Sequence, residues 1–301
     1  MKTSLDCIPC FVRQAAEAIE QTMPSRTTTG NTARQEEMLR KILHDISLAD
    51  WQGSPPLMAQ RIHRIIRKEL NWCDPYQAIK AQMNSAAEQL LPRLRNAINE
   101  QPDKQEALLR AAIGGNLLDA GAKVRIEVDE LPEHINAIWT HPLQGDVQAF
   151  FNAAKEARKI IYLTDNAGEI FFDRVLIEAL ETQQAGRVTV YVRGAPVIND
   201  ATRDDAIAAG ITKLVPVFDN GSDAPGTLLE DCSAEFRAAF AQADMIIAKG
   251  QGNYESLSDS TRPIHFLFVV KCPVIAYQVV APIGTLMVSQ AKNSQVTETA
   301  G

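Results

Sequence analysis

The sequence predicts an α/β protein in which a three-layer unit with a largely parallel sheet follows an N-terminal all-helical domain. Before about Arg125, apolar residues recur at spacings of three and four, which is typical of helices with one buried face, and no convincing strand occurs. After about Arg158, short apolar runs alternate with amphipathic segments, which indicates crossover units on a parallel sheet with helices on both faces. We place the helical domain at residues 1–100, the α/β domain at 101–290 and a polar tail at 291–301.

Each element follows from its own pattern. The helical half contains the segments "FVRQAAEAIEQ", "MAQRIHRIIRKEL" and "DKQEALLRAAIGGNLLDAGAK". The predicted strands are, in order, "IIYLT", "RVTVYVRG", "TKLVPVFDNG", "ADMIIAKG" and, near the end, "PVIAYQVV". The helices between them are "EIFFDRVLIEALETQQ", "DATRDDAIAAG" and "CSAEFRAAFAQ". This alternation is what predicts the layered architecture.

Composition narrows the possible partners and the compartment. The chain has 301 residues and a net charge of −7, so we do not expect it to bind nucleic acid. The N-terminus has too short an apolar run for a signal peptide, and no apolar stretch reaches the roughly 18 residues of a membrane span. We therefore expect a cytoplasmic protein with no membrane contact.

The five cysteines are too few and too scattered for a disulfide framework. Cys7 and Cys10 form a CxxC pair, which suits a redox couple or half of a zinc site. A structural zinc site needs two further ligands close by, and the sequence offers no second CxxC or nearby histidine pair. Two reduced thiols near a helix start are the simpler alternative.

Three polar clusters follow predicted strands. Asp165 and Asn166 follow "IIYLT", Asn199 and Asp200 follow "VTVYVRGAPVI", and the loop "KGQGN" at 249–253 follows "ADMIIA". In open α/β sheets, ligands bind where the carboxyl ends of the strands meet. Oxygen ligands favour Mg²⁺ or a similar hard cation over zinc, and a lysine in a glycine-flanked loop suits an anion. This combination predicts hydrolysis of a phosphate ester.

Each cluster also has a purely structural explanation. Asp165 could cap the helix that follows it, and Asp200 could do the same for the next helix. The glycines of "KGQGN" could serve a tight turn, since a lone Gly-x-Gly is weak evidence for a ligand. The "GGN" at 114–116 could be a simple helix interruption.

Several long motifs, in the same order, resemble the DUF89 family of metal-dependent damage-control phosphatases, which includes the ARMT1-like proteins. The matching stretches are "DCIPCFVRQA", "GGNLLDAG", "YLTDNAGEIFFDRVLIEAL", "VRGAPVINDATRDDA", "ADMIIAKGQGNYESL" and "FVVKCPVIA". The CxxC pair together with the later Lys-Cys pair resembles the motif pattern of subfamily I. The resemblance implies a three-layer α/β unit with an attached helical domain, and it leaves the polar segment 25–32 unaligned.

The resemblance implies a role for each candidate site residue. Asp165, Asn166 and Asp200 would bind a divalent metal, namely Mn²⁺, Ni²⁺, Co²⁺ or Mg²⁺. Lys249 would line the phosphate pocket and offset developing charge, with Asn253 nearby. Glu169 could be a base behind the metal ligands, or it could simply favour the first turn of its helix. The nucleophile would be a metal-activated water, with Asp165 as the ligand most coupled to it.

Further candidates carry less definite roles. The thiol motif of the subfamily corresponds to Cys7, Cys10, Lys271 and Cys272. Asn116 and Asp119 match a motif near the rim of the site, and we expect them among the residues that bind the substrate or its phosphate. The family's substrates are small phosphate esters, including sugar phosphates and damaged intermediates, and the subfamily is linked to oxidised purine nucleotides or their precursors.

Two other functions remain open alternatives. A carboxyl methyltransferase using S-adenosylmethionine is one, although the turn "DNAGE" has only one glycine and methyl transfer needs no metal. A non-catalytic metabolite-binding or redox module that uses Cys7 and Cys10 is the other. The oligomeric state is left open.

Overall fold

The structure is a computed structural model that describes residues 1–23, 31–70, 74–119 and 131–291. Most of the polar segment 25–32, Cys73 and the tail from residue 292 lie outside the described residues, as does the side chain of Asp119. No helix within the described ranges is both long and apolar enough to cross a membrane.

The helices confirm the predicted helical N-terminal half and the crossovers after it. They are α1 (Cys7–Thr22), α2 (Asn31–Leu48), α3 (Pro55–Glu69), α4 (Gln77–Glu100), α5 (Lys104–Gly114), α6 (Leu131–Thr140), α7 (Val147–Glu156), α8 (Glu169–Gln183), α9 (Arg203–Ala208), α10 (Ala234–Gln242), α11 (Gln251–Leu257) and α12 (Pro273–Val279). A 3₁₀ helix, Gly115–Asp119, continues directly from α5.

Within the described ranges, seven strands form one mostly parallel sheet. They are β1 (Leu143–Gly145), β2 (Ile160–Leu163), β3 (Val188–Val192), β4 (Val217–Asp219), β5 (Met245–Lys249), β6 (Ile264–Val269) and β7 (Leu286–Gln290). Their order is β1-β7-β6-β5-β2-β3-β4, and only the β6–β7 pair is antiparallel. The chain leaves β2 in one direction towards β3 and later returns on its other side as β5. This reversal of strand order is where α/β sheets form ligand crevices.

Alternate residues of β2, β3, β5, β6 and β7 enter two different apolar cores. On β2, Ile160 and Tyr162 belong to the core beneath α4–α9, whereas Ile161 and Leu163 pack with residues of α10, α11 and α12. This follows from the period of two along a strand, and it produces the predicted three layers.

The N-terminal helices divide between two cores. Residues from Phe11 to Tyr76, on and beside α1, α2 and α3, form a separate apolar core. Ala87, Leu90 and Leu94 of α4 instead join the core of the sheet. The domain boundary near residue 100 remains a prediction, since α4 lies before it and packs against the α/β unit.

The prediction for the C-terminal segment was wrong in one element. The stretch "PVIAYQVV" is not a strand, because Pro273–Val279 forms α12 with Cys272 at its N-cap and Pro273 in the first turn. Proline is favoured there, since its missing N–H would have no partner in the first turn. The C-terminal strands are β6 and β7, which the sequence patterns did not identify, and neither did they identify the three-residue β1.

Candidate active site at the carboxyl ends of the strands

A cavity of about 800 Å³ lies between the N-terminal helices and the carboxyl ends of the strands. Phe11 on α1 and Ala59 on α3 contribute to one wall. Loops that follow β2, β3, β5 and β6 contribute to the other walls. The volume is within the range of roughly 300–1,000 Å³ that is typical of small-molecule sites.

The three predicted metal ligands meet at this cavity. Asp165, Asn166 and Asp200 all line it, although each side chain is largely buried. The main chain holds the two loops together, since Asn166 and Asp200 form an isolated antiparallel bridge. The Ala201 N–H donates to the Asp165 carbonyl at 2.7 Å. The structure therefore brings together residues 35 positions apart in sequence (200 − 165 = 35).

A layer of buried side chains orients these ligands from the side away from the cavity. Asp165 Oδ2 accepts hydrogen bonds from Asn116 Nδ2 at 2.9 Å and from Asn166 Nδ2 at 2.8 Å. The same two amide groups donate to Glu169 Oε2, at 2.5 Å and 3.2 Å respectively. Asn166 thus directs its amino group inwards, which leaves its oxygen as the atom suited to a cation. Asn116 Oδ1 is buried without a partner among the described residues.

Lys249 lies beneath this layer and is fully buried. Its ammonium group donates to Ala112 O at 2.7 Å, Glu169 Oε1 at 2.6 Å and Asp173 Oδ1 at 2.5 Å. Although burial favours the neutral amine, the carboxylates of Asp173 and Glu169 raise the pKa of Lys249, so it stays charged. Its position differs from the expectation of a phosphate-pocket residue, because all three donors of the ammonium group already have protein partners.

Asn253 is also fully buried rather than exposed to a ligand. Its amino group donates to Lys249 O at 2.7 Å and Thr164 O at 3.2 Å. Its oxygen accepts from the Thr227 hydroxyl at 2.7 Å. Asn253 thereby links the end of β2 to the turn after β5.

The charge balance at the cavity floor suits a cation. Burial raises the pKa of Asp165 well above its usual value, and the carboxylates of Glu169 and Asp200 raise it further. Lys271 and Arg193 partly oppose this effect. Arg193 also donates through Nε to Asp200 Oδ2 at 2.6 Å. A divalent ion would relieve the remaining repulsion between these carboxylates.

The donor set consists of two carboxylates and one amide oxygen. Over the part of the chain that the structure describes, no group of three or more His, Cys, Asp or Glu side chains is arranged to hold a metal ion. A metal at Asp165, Asn166 and Asp200 would therefore depend on Asn166, and water or substrate oxygens would have to complete its coordination.

The residues of the thiol motif line the same cavity. Cys7 and Cys10 lie in the first turn of α1, while Lys271 and Cys272 lie between β6 and α12. Cys7, Cys10 and Cys272 are free thiols. The structure therefore brings Cys7 and Lys271, which are 264 residues apart in sequence (271 − 7 = 264), to the cavity that the candidate metal ligands also line.

Several residues at the site were not identified from the sequence. Asp173 carries part of the charge that holds Lys249, and Arg193 holds Asp200. Glu255 on α11 and Arg13 on α1 line the cavity. Arg193 had a usable signal, because it begins the "RGAPV" turn before Asp200. The others lie on helix faces that have no distinctive local pattern.

Comparison with known proteins identifies the family. Residues 3–286 match the damage-control phosphatase ARMT1-like domain. The chain belongs to this family. It is 35% identical over 247 residues to a damage-control phosphatase of Archaeoglobus fulgidus, covering 80% of this chain and 85% of the relative. It is 30% identical over 296 residues to a damage-control phosphatase of Pyrococcus horikoshii, covering 97% and 99% respectively.

Structural comparison agrees with the sequence relationship. The crystal structure of a DUF89 family protein from Pyrococcus horikoshii superimposes with a TM-score of 0.87 at 29% identity. The match covers 97% of this chain and 100% of that chain. It confirms the predicted fold class.

Proposed function

We propose that this protein is a metal-dependent phosphatase that hydrolyses small phosphate esters at the cavity described above. The observation that supports this most directly is the meeting of Asp165, Asn166 and Asp200 at one cavity that Lys271 also lines. Two of its relatives are named damage-control phosphatases, which supports the same reaction class.

We assign the metal to Asp165, Asn166 and Asp200. The raised pKa of Asp165, caused by burial and by neighbouring carboxylates, indicates a site whose charge is incomplete without a cation. Oxygen ligands suit Mn²⁺, Mg²⁺, Co²⁺ or Ni²⁺. Such an ion would polarise a phosphate oxygen and lower the pKa of a bound water.

The buried side chains below the ligands would position them. Lys249 holds one oxygen of Glu169, and the other oxygen of Glu169 holds the amide groups of Asn116 and Asn166. Because both Glu169 oxygens are engaged, we assign Glu169 and Lys249 to orienting the ligands rather than to contact with substrate. Asn116 and Asn253 belong to the same supporting layer, and Asp119 remains a candidate only.

Lys271 is the cation that we assign to the phosphate. It lines the cavity, and its positive charge partly opposes the burial and the neighbouring carboxylates that raise the pKa of Asp165. An ammonium group beside the metal ligands would offset the negative charge of a phosphate ester. We therefore propose for Lys271 the role that the sequence suggested for Lys249.

The cavity has room for more than a phosphate group. Its volume of about 800 Å³ and its mixed lining of polar and apolar side chains fit a metabolite the size of a sugar phosphate or a nucleotide-type intermediate. We propose such small, damaged or off-path phosphate esters as the substrate class.

The test is hydrolysis of a chromogenic aryl phosphate by metal-stripped protein, with Mn²⁺, Ni²⁺, Co²⁺ or Mg²⁺ added back. Activity should return with metal and fall at least about 100-fold in Asp165→Ala, since a lost metal ligand removes the main source of transition-state charge stabilisation. Asp219→Ala is the matched control, because Asp219 also ends a strand but is exposed and outside the cavity.

Two outcomes would contradict the proposal. Full activity in Asp165→Ala would remove the chemistry from this site. No hydrolysis with any metal, together with loss of ligand binding in a Cys7→Ser/Cys10→Ser variant, would favour the thiol-dependent module instead.

A further inference from the structure

One side of the cavity is built by α11 and the segment before α12. Gln251 and Glu255 of α11 line it together with Lys271 and Cys272. The side chain of Gln251 organises this group, since its oxygen accepts the Lys271 main-chain N–H at 3.0 Å. Its amino group donates to Glu255 Oε1 at 2.8 Å and lies 3.6 Å from Cys272 Sγ.

Glu255 has no cationic side chain as a partner among the described residues. Gln251 engages one of its two carboxyl oxygens, and the ammonium group of Met1 binds its main-chain oxygen at 2.8 Å. The Met1 ammonium group forms its ion pair with Asp259, and its charge only partly opposes the rise in the pKa of Glu255. Burial raises the pKa of the Glu255 carboxyl to about 7. A carboxyl group that lines a cavity and whose ionised form is disfavoured by burial is typical of a functional site.

The chemistry of a carboxyl group decides what it could contact. In its ionised form, which predominates above about pH 7, the Glu255 carboxylate accepts hydrogen bonds and donates none. It would repel a phosphate group, so it suits the other end of the substrate. Its Oε2 atom lacks a partner among the described residues, and a hydroxyl group of the substrate would provide one.

We infer that Glu255 is a specificity-determining residue that accepts hydrogen bonds from hydroxyl groups on the leaving group of the phosphate ester. This inference rests on the proposed function. Glu255 would select polyhydroxylated leaving groups over apolar ones, because a leaving group without hydroxyls would give the carboxyl no hydrogen-bond partner. Sites built to bind a substrate hydroxyl reject analogues that lack it.

The experiment compares two esters and two residues. Glucose 6-phosphate carries hydroxyl groups and phenyl phosphate carries none, while Glu255→Met removes the carboxyl and approximately keeps the side-chain length. The KM for glucose 6-phosphate, and its Kd by calorimetry on the metal-loaded protein, should rise about tenfold or more in Glu255→Met. The KM and Kd for phenyl phosphate should not rise, because the carboxyl makes no favourable contact with that ester. Glu235→Met, which changes an exposed carboxyl on α10 outside the cavity, is the matched control and should change neither.

The outcomes separate this inference from the function on which it rests. Equal changes for both esters, or no change for glucose 6-phosphate, would overturn the role of Glu255. Binding of both esters without hydrolysis would refute the phosphatase alone, and the Kd values would still decide the role of Glu255. Binding of neither ester by the wild type would overturn both. If Glu255→Met does not fold, Glu255→Ala is expected to give the same selective loss.

Discussion

Lys249 illustrates how a single buried charge can hold a site together. The side chain is fully buried, and its three donors are committed to two carboxylates and one carbonyl oxygen. Tyr162 donates to the same Asp173 oxygen at 2.8 Å. A buried ion pair adds little net stability by itself, but removing one partner leaves an uncompensated charge.

Lys249→Met is therefore expected to lower the free energy of unfolding by about 3–5 kcal/mol, as measured by urea denaturation at pH 7.5. Lys159→Met is the matched control, since Lys159 is exposed and its substitution should cost within about 0.5 kcal/mol. A Lys249→Met protein as stable as the control variant would show that the carboxylates do not need this partner.

The turn between β5 and α11 explains why the first glycine of the "KGQGN" loop, Gly250, is a glycine. Gly250 has a φ of 79°, in the left-handed region, and a methyl group there would overlap the Asp165 carboxylate. The strand end and the candidate metal ligand are thus packed directly against each other, and a side chain at residue 250 would displace the ligand.

Gly250→Ala should abolish phosphatase activity and destabilise the protein by more than the strain of a positive φ alone. Gly186→Ala separates the two effects, because Gly186 has a φ of 81° but no atoms near the added methyl group. That variant should lose about 1–2 kcal/mol and keep its activity. Equal stability and activity in the two variants, measured side by side, would contradict the close packing at Asp165.

The helix α3 contains a buried histidine, and we expect it to make the stability of the fold fall at acid pH. His63 accepts or donates a hydrogen bond with the Tyr76 hydroxyl at 2.8 Å, inside the N-terminal core. Burial, assisted by Arg67, lowers the pKa of His63 to about 3. Between that value and about 6.5 the unfolded state binds a proton that the folded state excludes, so stability is lost as the pH falls through this window.

The free energy of unfolding should therefore fall less steeply from pH 6.5 to pH 4.5 in His63→Gln than in the wild type. The difference should amount to roughly 2 kcal/mol over that range. His44→Gln, which changes an exposed histidine on α2, should keep the wild-type slope. Identical slopes in all three proteins would mean that His63 titrates freely in the folded state.

The sequence predicted correctly the strands that consist of a short apolar run followed by a helical segment, and it failed where that pattern was ambiguous or absent. β2, β3, β4 and β5 lie within the predicted runs, because each is a short apolar stretch before a helical segment. The run at residues 273–280 is equally apolar, and only its first-turn proline distinguishes a helix from a strand. β1 is too short to produce any pattern.

The whole molecule depends on contacts that local patterns cannot give. The sequence could place Asp165, Asn166 and Asp200 at strand ends, and the general rule for parallel sheets brings those ends together. It could not place α1 over the same cavity, because that position depends on how the N-terminal core packs on the sheet. It also could not place Lys249 below the ligands, since a strand's last residue can face either way.

Elements from both halves of the chain surround the proposed site for one metal ion. The candidate ligands come from loops after β2 and β3, the supporting side chains from β5, α8 and the 3₁₀ helix, and the opposite wall from α1 and α3. Most of the chain therefore contributes to positioning a small number of oxygen atoms.

The most direct test is an anomalous difference map from crystals of the protein soaked in Mn²⁺. We predict one strong peak within coordination distance of Asp165, Asn166 and Asp200, roughly 2.0–2.4 Å from their oxygens, and its loss in Asp165→Ala crystals. A peak at Cys7, Cys10 and Cys272 instead, or a protein that binds no Mn²⁺, would contradict the assignment of the active site.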